Sequence, residues 1–285
     1  MDLCVTSHIV MRSEDGTPVS FRETMLFLRQ AGFQEIDYMF TTPLLLQPSW
    51  REDFLEEVGT AKKEGVRFRY AHLPFDYPGR DSAYGWEEFR TASVRSMELA
   101  VRAGVDCAAI HPRTSMTREY DAGRERDAAL SFLEPYREEA GKAGLVLALE
   151  NMRGPGQSAS GEIRRFGTET DELVRLADSL GIGICWDTGH GNISAQDQED
   201  SLQKIGPRLR MVHINDNFAE GDVHLAPFLG SVDWAGVARG LKRAGYQGSL
   251  NLEVSCHKRP EKVRTEYARY MAASAMLLAS MIENS

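Results

Sequence analysis

The sequence predicts an α/β protein: a single-domain (β/α)₈ barrel, or TIM barrel, over residues 1–285. Eight short apolar runs alternate with eight helical stretches at a period of roughly 30–40 residues, as a barrel of this length requires. Glycines fall where six of the helices should end, as expected for C-caps, at Gly32, Gly65, Gly104, Gly144, Gly181 and Gly245. A doubly wound sheet would usually carry Gly-x-Gly-x-x-Gly after its first strand, and none follows Val10.

The first half of the chain supplies four of the predicted strand–helix pairs. Each strand is an apolar, β-prone run too short for a helix, and each helix is a longer amphipathic stretch. The strands are expected at 3–10, 33–40, 66–73 and 106–111, and the helices at 18–31, 50–64, 86–103 and 124–143. Between the second strand and its helix, residues 43–48 are expected to form an apolar loop.

The second half repeats the alternation without a change of composition that would mark a linker. The strand at 182–187 is followed immediately by a turn that carries Asp187 and His190. The strands are expected at 145–150, 182–187, 210–215 and 249–254, and the helices at 168–180, 199–205, 232–244 and 261–282.

Composition excludes several classes of protein. Hydrophobic residues make up 42% and charged residues 26% of the chain, which is ordinary for a globular protein. The net charge of −9 offers no strong field for nucleic acid. No apolar run approaches the ~18 residues of a membrane span, and the first ten residues do not resemble a signal peptide. We therefore expect a cytoplasmic enzyme, with reduced, buried thiols at Cys4, Cys107, Cys185 and Cys256.

Nearly every predicted strand ends in a residue that can bind a metal. In a barrel all the C-terminal strand ends face one mouth, so these side chains should converge. Strand alternation agrees: if Glu150, His213 and Glu253 point inward, the neighbouring large aliphatic residues face the helices. The strand-end residues are His8, His72, His111, Glu150, Asp187 with His190, His213 and Glu253.

Four of these residues, on four successive strands, suit a divalent ion. Glu150, Asp187, His213 and Glu253 offer oxygen and nitrogen donors appropriate to Mn²⁺, Mg²⁺, Co²⁺ or Zn²⁺. Four protein ligands would leave positions for two substrate oxygens, and such a site can polarise a carbonyl group.

An ordered set of motifs covers essentially the whole chain. They are Ile110-His111-Pro112, Leu149-Glu150-Asn151, Trp186-Asp187-Thr188-Gly189-His190, His213-Ile214-Asn215-Asp216, Asp222-Val223-His224, Leu229-Gly230-Ser231-Val232-Asp233-Trp234 and Leu252-Glu253-Val254. In these motifs the chain resembles the xylose-isomerase-like superfamily of sugar phosphate isomerases and epimerases, which also contains apurinic endonucleases of the endonuclease IV type.

The resemblance implies two sets of roles. In the epimerase branch Glu150, Asp187, His213 and Glu253 would bind one metal, with Mn²⁺ preferred, and Glu150 and Glu253 would be the acid–base pair. In the endonuclease branch the same four residues would share three zinc ions with five more ligands, which are His72, His111, His190, Asp222 and His224. All nine residue types are present, so the ligand list leaves both branches open.

Three features favour a sugar isomerase or epimerase. These are the net charge of −9, arginines interleaved with acids near the mouth, and the apolar 43–48 loop. The five outer residues would then bind substrate or orient ligands, and His8, Arg113 and Trp86 are further expected substrate contacts. A small-molecule sugar is the expected partner, with neither nucleic acid nor membrane, and a homo-oligomer is an open alternative. A multi-zinc phosphodiesterase and a keto-sugar or keto-inositol dehydratase or lyase are the other candidates.

Overall fold

The computed structural model describes residues 1–10, 12–13, 15–159, 163–256 and 259–285. The described residues form eight strands. Their bounds are β1 Leu3–Thr6, β2 Glu35–Met39, β3 Arg67–His72, β4 Cys107–Ile110, β5 Leu147–Glu150, β6 Gly183–Asp187, β7 Leu209–His213 and β8 Leu250–Leu252.

Ten α-helices are found in the same part of the chain. They are α1 Phe21–Ala31, α2 Thr42–Leu45, α3 Trp50–Glu64, α4 Trp86–Ala103, α5 Ala122–Ala143, α6 Thr170–Leu180, α7 Thr188–Ile193, α8 Gln198–Ile205, α9 Trp234–Ala244 and α10 Glu261–Glu283. Among the described residues, none of these helices combines the length and apolar character that crossing a membrane requires.

All neighbouring strands pair in parallel, in the order β7-β6-β5-β4-β3-β2-β1-β8. The two ends of this sheet meet beyond β7, where the Ile214 amide donates to the Asn251 carbonyl at 2.7 Å and the Glu253 amide to the Ile214 carbonyl at 3.2 Å. The sheet is thus a nearly closed barrel with helices between its strands, and the predicted (β/α)₈ fold is confirmed.

Two apolar layers lie on opposite faces of the barrel wall. Leu147, Leu149, Val212 and Ile214 belong to the large outer core between strands and helices. A small inner cluster fills the barrel, formed by Cys4, Tyr70, Cys107, Ala109, Ala148, Cys185 and Met211. The predicted alternation around Glu150, His213 and Glu253 is therefore confirmed, and their side chains point toward the barrel axis.

Several predicted boundaries are wrong, and for two of them the structure shows the reason. Helix α1 begins at Phe21 rather than 18, because Ser20 and Glu23 form a capping box that fixes the start. The expected 43–48 loop instead contains the one-turn helix α2, whose start is held by the Asp76 carboxylate accepting from the amide and hydroxyl of Thr42. Strand β1 ends at Thr6, although the apolar run continues through the buried Ile9 and Val10.

Candidate metal centre

The four predicted metal ligands meet at the C-terminal mouth of the barrel. One donor atom from each of Glu150, Asp187, His213 and Glu253 lies within 4.8 Å of the others. His213 is central, because its Nδ1 lies 3.2 Å from an oxygen of Glu150 and 3.2 Å from an oxygen of Glu253. Strands β5, β6 and β7 and the residue after β8 place these side chains, as the sequence predicts.

Two asparagines hold Asp187 in position. The Asn151 side chain accepts from the Asp187 amide at 2.6 Å and donates to its carbonyl at 3.0 Å. The Asn215 amide donates to Asp187 Oδ2 at 2.6 Å, while Oδ1 accepts the His190 amide at 2.6 Å and so caps α7. Both asparagines belong to the motifs quoted above, and their part is to aim this carboxylate.

Asp216, in the same motif as His213, has a structural part. Its carboxylate accepts from the amides of Asn217, Gly230 and Val232 and from the indole of Trp234, at 2.8–3.1 Å. These bonds fold the segment 217–233, which carries Asp222 and His224.

Three outer histidines share one arrangement. The Nδ1 atoms of His72, His190 and His224 donate to the backbone carbonyls of Leu73, Asn151 and Glu253 at 2.6–2.8 Å. A carbonyl can only accept, so each ring carries a proton on Nδ1 and has Nε2 turned toward the other side chains of the site. An Nε2 atom presented in this way can bind a substrate hydroxyl or a cation.

The outer residues form two groups on either side of the central four. In the first, the Nε2 atoms of His72 and His111 lie 3.2 Å apart, and each is 3.2 Å from Glu150 Oε2. In the second, the Asp222 carboxylate lies 3.4 Å from His190 Nε2 and 3.1 Å from His224 Nε2. All nine residues singled out by the sequence are thus brought together.

Burial and charge act against each other on the acidic groups. Burial raises the pKa of Glu150 and Glu253, but His213 and further histidines outweigh it, holding the Glu150 pKa well below its usual range and the Glu253 pKa at about 2. Burial dominates at Asp187 and raises its pKa to about 7, although His190 opposes this. The two glutamates are therefore ionised at neutral pH.

The histidines show the complementary effect. Burial lowers the pKa of His190, but Asp187 and Asp222 raise it to about 9, and Glu253 and Asp222 raise that of His224 to about 10. Burial also lowers the pKa of His213, but the carboxylates of Glu150, Glu253 and Asp37 outweigh it and raise that pKa well above its usual value. The positive charge of the protonated rings compensates the negative charge of the buried carboxylates. A bound cation would provide this compensation instead, because a histidine that binds a metal is neutral.

Several buried polar atoms at this site lack a hydrogen-bond partner among the described residues. They are both ring nitrogens of His213, Oε2 of Glu253, Oδ1 of Asp222, Oδ1 of Asp37, and the side-chain oxygens of Asn215 and Asn251. Buried polar groups are normally paired, and leaving one unpaired costs about 1–3 kcal/mol. A divalent ion bound by Glu150, Asp187, His213 and Glu253 would satisfy one ring nitrogen of His213 and Oε2 of Glu253, so these residues fit such an ion.

A cavity of about 280 Å³ opens over the four residues. Its lining includes His8, His111, Glu150, His190, Asp222, His224 and Glu253, together with Thr6, Met39 and Phe75. A larger cavity of about 680 Å³ lies at the other end of the barrel, around the starts of β5 and β6. The smaller one is the candidate site because it contains the converging carboxylates and imidazoles.

Two expected substrate contacts lie outside this lining. The Arg113 guanidinium stacks on the Trp86 ring at 4.2 Å, which is packing between the β4–α5 loop and the start of α4. Contact of Arg113 and Trp86 with substrate stays a prediction. Sequence reasoning missed Phe75, whose ring centre lies 4.7 Å from that of His72 and 4.9 Å from that of His111. Its position three residues after His72 was the available signal.

Fold and site together define a (β/α)₈ barrel with a carboxylate–imidazole centre at its mouth. The chain belongs to the xylose isomerase-like TIM barrel family, which matches residues 26–274. Among curated relatives, the uncharacterised protein y4fM of Sinorhizobium fredii is 33% identical over 97 residues, which are 34% of this chain and 30% of that protein. The D-psicose 3-epimerase of Enterocloster bolteae is 30% identical over 86 residues, which are 29% and 27% of the two chains. These matches therefore span under a third of either relative.

Solved structures share the fold over almost the whole chain. A xylose isomerase domain protein from Alicyclobacillus acidocaldarius superposes with a TM-score of 0.76 at 19% identity, covering 99% of both chains. A D-psicose 3-epimerase crystallised in the presence of D-fructose gives 0.70 at 15% identity, covering 98% of this chain and 99% of that one. The IOLI protein with a bound zinc atom gives 0.73 at 14% identity, covering 100% and 99%. At these identities the likeness establishes the fold.

Proposed function

We propose that the protein is a divalent-metal-dependent isomerase or epimerase of keto-sugars. The observation that carries the proposal is the placement of Glu150 and Glu253, which each lie 3.2 Å from His213 Nδ1. Two ionised carboxylates therefore flank one metal position from different strands. The proposal agrees with the family, with the sugar epimerase named among the relatives and with the zinc-containing structural neighbour.

A divalent ion held by Glu150, Asp187, His213 and Glu253 would polarise the carbonyl of a keto-sugar and lower the pKa of the adjacent C–H. One glutamate then takes the proton from the carbon beside the carbonyl, and the electron pair moves toward the carbonyl oxygen. The other glutamate takes up a proton from solvent before this step, and as a carboxylic acid it donates that proton to carbon. Return to the same carbon on the opposite face is epimerisation. Return to the former carbonyl carbon is isomerisation, in which the neighbouring hydroxyl loses its proton and becomes the new carbonyl, while the former carbonyl oxygen gains one.

The remaining side chains of the cavity bind and orient the sugar. His190 and His224 line the cavity, and their protonated Nε2 atoms can donate to sugar hydroxyl oxygens. Phe75, 39% exposed beside His72 and His111, offers an apolar surface for the C–H face of the ring.

Turnover in deuterated water tests the mechanism. We expect deuterium at the carbon next to the carbonyl in product and in recovered substrate, because the glutamates exchange protons with solvent. D-psicose and D-fructose are suitable first probes. Turnover without incorporation of solvent hydrogen would exclude proton transfer by glutamate and favour a hydride shift.

A multi-zinc phosphodiesterase is the second candidate. His72, His111 and Glu150 present three donors with mutual distances of 3.2 Å, close to the spacing of ligands around tetrahedral zinc. On the other side, Asp222 lies between two histidines, with one carboxylate oxygen 3.4 Å from His190 Nε2 and the other 3.1 Å from His224 Nε2. The net charge of −9 weighs against a DNA substrate.

The number of bound ions separates the two candidates. Metal analysis of the purified protein should find about one ion per chain for the epimerase and about three zinc ions for the phosphodiesterase. Elimination from a keto-sugar or keto-inositol needs the same metal and glutamates as epimerisation, and product analysis distinguishes it.

A further inference from the structure

One buried carboxylate lies beneath the candidate metal centre and takes no part in the proposed ligand set. Asp37 sits on β2, points into the barrel and is 1% exposed. Its Oδ2 lies 3.3 Å from His213 Nε2 and accepts a hydrogen bond from the Asn251 amide at 2.8 Å. Asn251, on β8, is itself fully buried. Asn251 on β8 therefore holds the Asp37 carboxylate, which faces the imidazole ring of His213 on β7.

The two nitrogens of His213 face different groups. Nδ1 faces the carboxylates of Glu150 and Glu253, whereas Nε2 faces Asp37 on the opposite side of the ring. A ring that binds a metal through Nδ1 must carry its proton on Nε2. Metal-binding histidines usually donate this second proton to a carboxylate or carbonyl, which fixes the orientation of the ring and increases the basicity of the ligand nitrogen.

We propose that Asp37 is a positioning residue for the metal centre: with an ion on Nδ1, its carboxylate, which lies 3.3 Å from Nε2, accepts the Nε2 proton of His213 and holds Nδ1 toward the ion. This inference rests on the proposed metal-dependent function and adds to it a carboxylate–histidine–metal relay running from β2 to β7. Oδ1 of Asp37 has no hydrogen-bond partner within the described chain, and Oδ2 is the oxygen that meets His213 and Asn251.

Glu35 provides a matched comparison two residues earlier on the same strand. It also points into the barrel and is 7% exposed. Its contacts are different, since it accepts from the Ser249 hydroxyl at 2.5 Å and lies 3.7 Å from the Arg67 guanidinium. Glu35→Gln therefore removes an interior carboxylate of the same strand without touching His213.

The decisive measurement is the affinity for Mn²⁺ alone, by titration calorimetry on the full-length protein. We expect Asp37→Asn to weaken Mn²⁺ binding by roughly 10- to 100-fold at unchanged stoichiometry, and Glu35→Gln to bind within about twofold of wild type. Equal affinities of Asp37→Asn and wild type would overturn the inference while leaving the proposed function intact. A wild-type protein that binds neither Mn²⁺ nor Zn²⁺ would overturn both.

A second measurement needs no folded Asp37 variant. In the Zn²⁺-loaded wild type, a long-range ¹H–¹⁵N NMR spectrum should show the His213 proton on Nε2, with His213→Asn used only to assign the signals. A proton on Nδ1, or metal bound to Nε2, would contradict the relay. This spectrum tests the tautomer and the metal-binding nitrogen that the relay requires, and the Mn²⁺ affinity of Asp37→Asn tests what Asp37 contributes to it.

Discussion

Glu150 is shared between four histidines at the candidate centre. Its oxygens lie 3.2 Å from His72, His111 and His213 and 3.4 Å from His190. Glu253 has fewer neighbours and lies at the rim of the cavity, with a side chain that is 12% exposed. Glu253 is therefore the better residue for separating proton transfer from metal binding.

Replacing Glu253 by Gln removes the proton-transferring group while keeping its size and a carbonyl oxygen that can still contact the ion. We expect kcat for keto-sugar epimerisation to fall about 10²- to 10⁴-fold. Solvent-deuterium exchange should fall in parallel, while about one metal ion per chain is retained. Steady-state kinetics and metal analysis on the same preparation check this.

Glu35→Gln is the control, because it changes a buried glutamate away from the cavity and should retain near wild-type kcat. Full activity of Glu253→Gln would remove that residue from the acid–base pair.

At the scale of the element, the segment between β7 and α9 depends on one carboxylate. Asp216 accepts four hydrogen bonds, three from backbone amides and one from the indole of Trp234. This network positions Asp222 and His224, which reach the cavity from the same segment.

The substitution Asp216→Asn replaces an oxygen acceptor by an NH₂ group facing donors. We expect a loss of roughly 1.5–3 kcal/mol in the free energy of unfolding, since hydrogen bonds to a charged group are involved. Urea denaturation measures it. Asp233→Asn in the same segment is the matched control: Asp233 caps α9 through the Gly236 amide at 3.0 Å, and Asn caps helices equally well. If both variants unfold at the same urea concentration, Asp216 does not organise the segment.

Helix α7 follows Asp187 directly and tolerates no side chain at its second residue. A Cβ on Gly189 would collide with the side-chain oxygen of Asn215, the residue that aims Asp187, and come within 2.8 Å of the Asn217 amide. We expect Gly189→Ala to cost about 1–3 kcal/mol of stability and to weaken Mn²⁺ binding.

The matched substitution Gly59→Ala lies inside α3, where a Cβ meets open space. There we expect a gain of about 1 kcal/mol, because alanine is the better helix former. Chemical denaturation of both variants gives the comparison, and equal effects would contradict the proposed collision.

At the scale of the molecule, the sequence predicts the barrel and the convergence of the candidate ligands, because both follow from local chemistry. Helix-ending glycines are visible in the sequence: Gly32, Gly65, Gly104, Gly144, Gly181 and Gly245 all adopt the left-handed conformation at helix ends. Metal-competent residues at strand ends then converge because the fold requires it.

Features that depend on contacts across the barrel were not predictable in the same way. Alternation along β2 could have indicated that Glu35 and Asp37 share the inner face. It could not indicate that Asp37 meets His213, since that depends on the radial position of β2 relative to β7. Helix α2 was missed because its start depends on Asp76, which is 34 residues away from Thr42. The metal count is likewise unpredicted, since the same nine residues suit one ion or three.

The whole fold should respond to the ion, because strands β5, β6 and β7 and the chain after β8 all contribute ligands. An ion that binds only the folded state adds RT ln(1 + [M]/Kd), or about 2.7 kcal/mol at a concentration 100-fold above Kd. For a domain of this size that is roughly 5–10 °C in Tm, at about 2–4 °C per kcal/mol. We therefore expect Tm to fall on treatment with EDTA and to rise with the logarithm of added Mn²⁺ or Zn²⁺, as followed by circular dichroism. In His213→Gln the central nitrogen donor is gone, and Tm should no longer depend on the metal. A wild-type Tm that stays constant from EDTA to millimolar Mn²⁺ and Zn²⁺ would contradict a metal site at the barrel mouth and the catalytic proposal built on it.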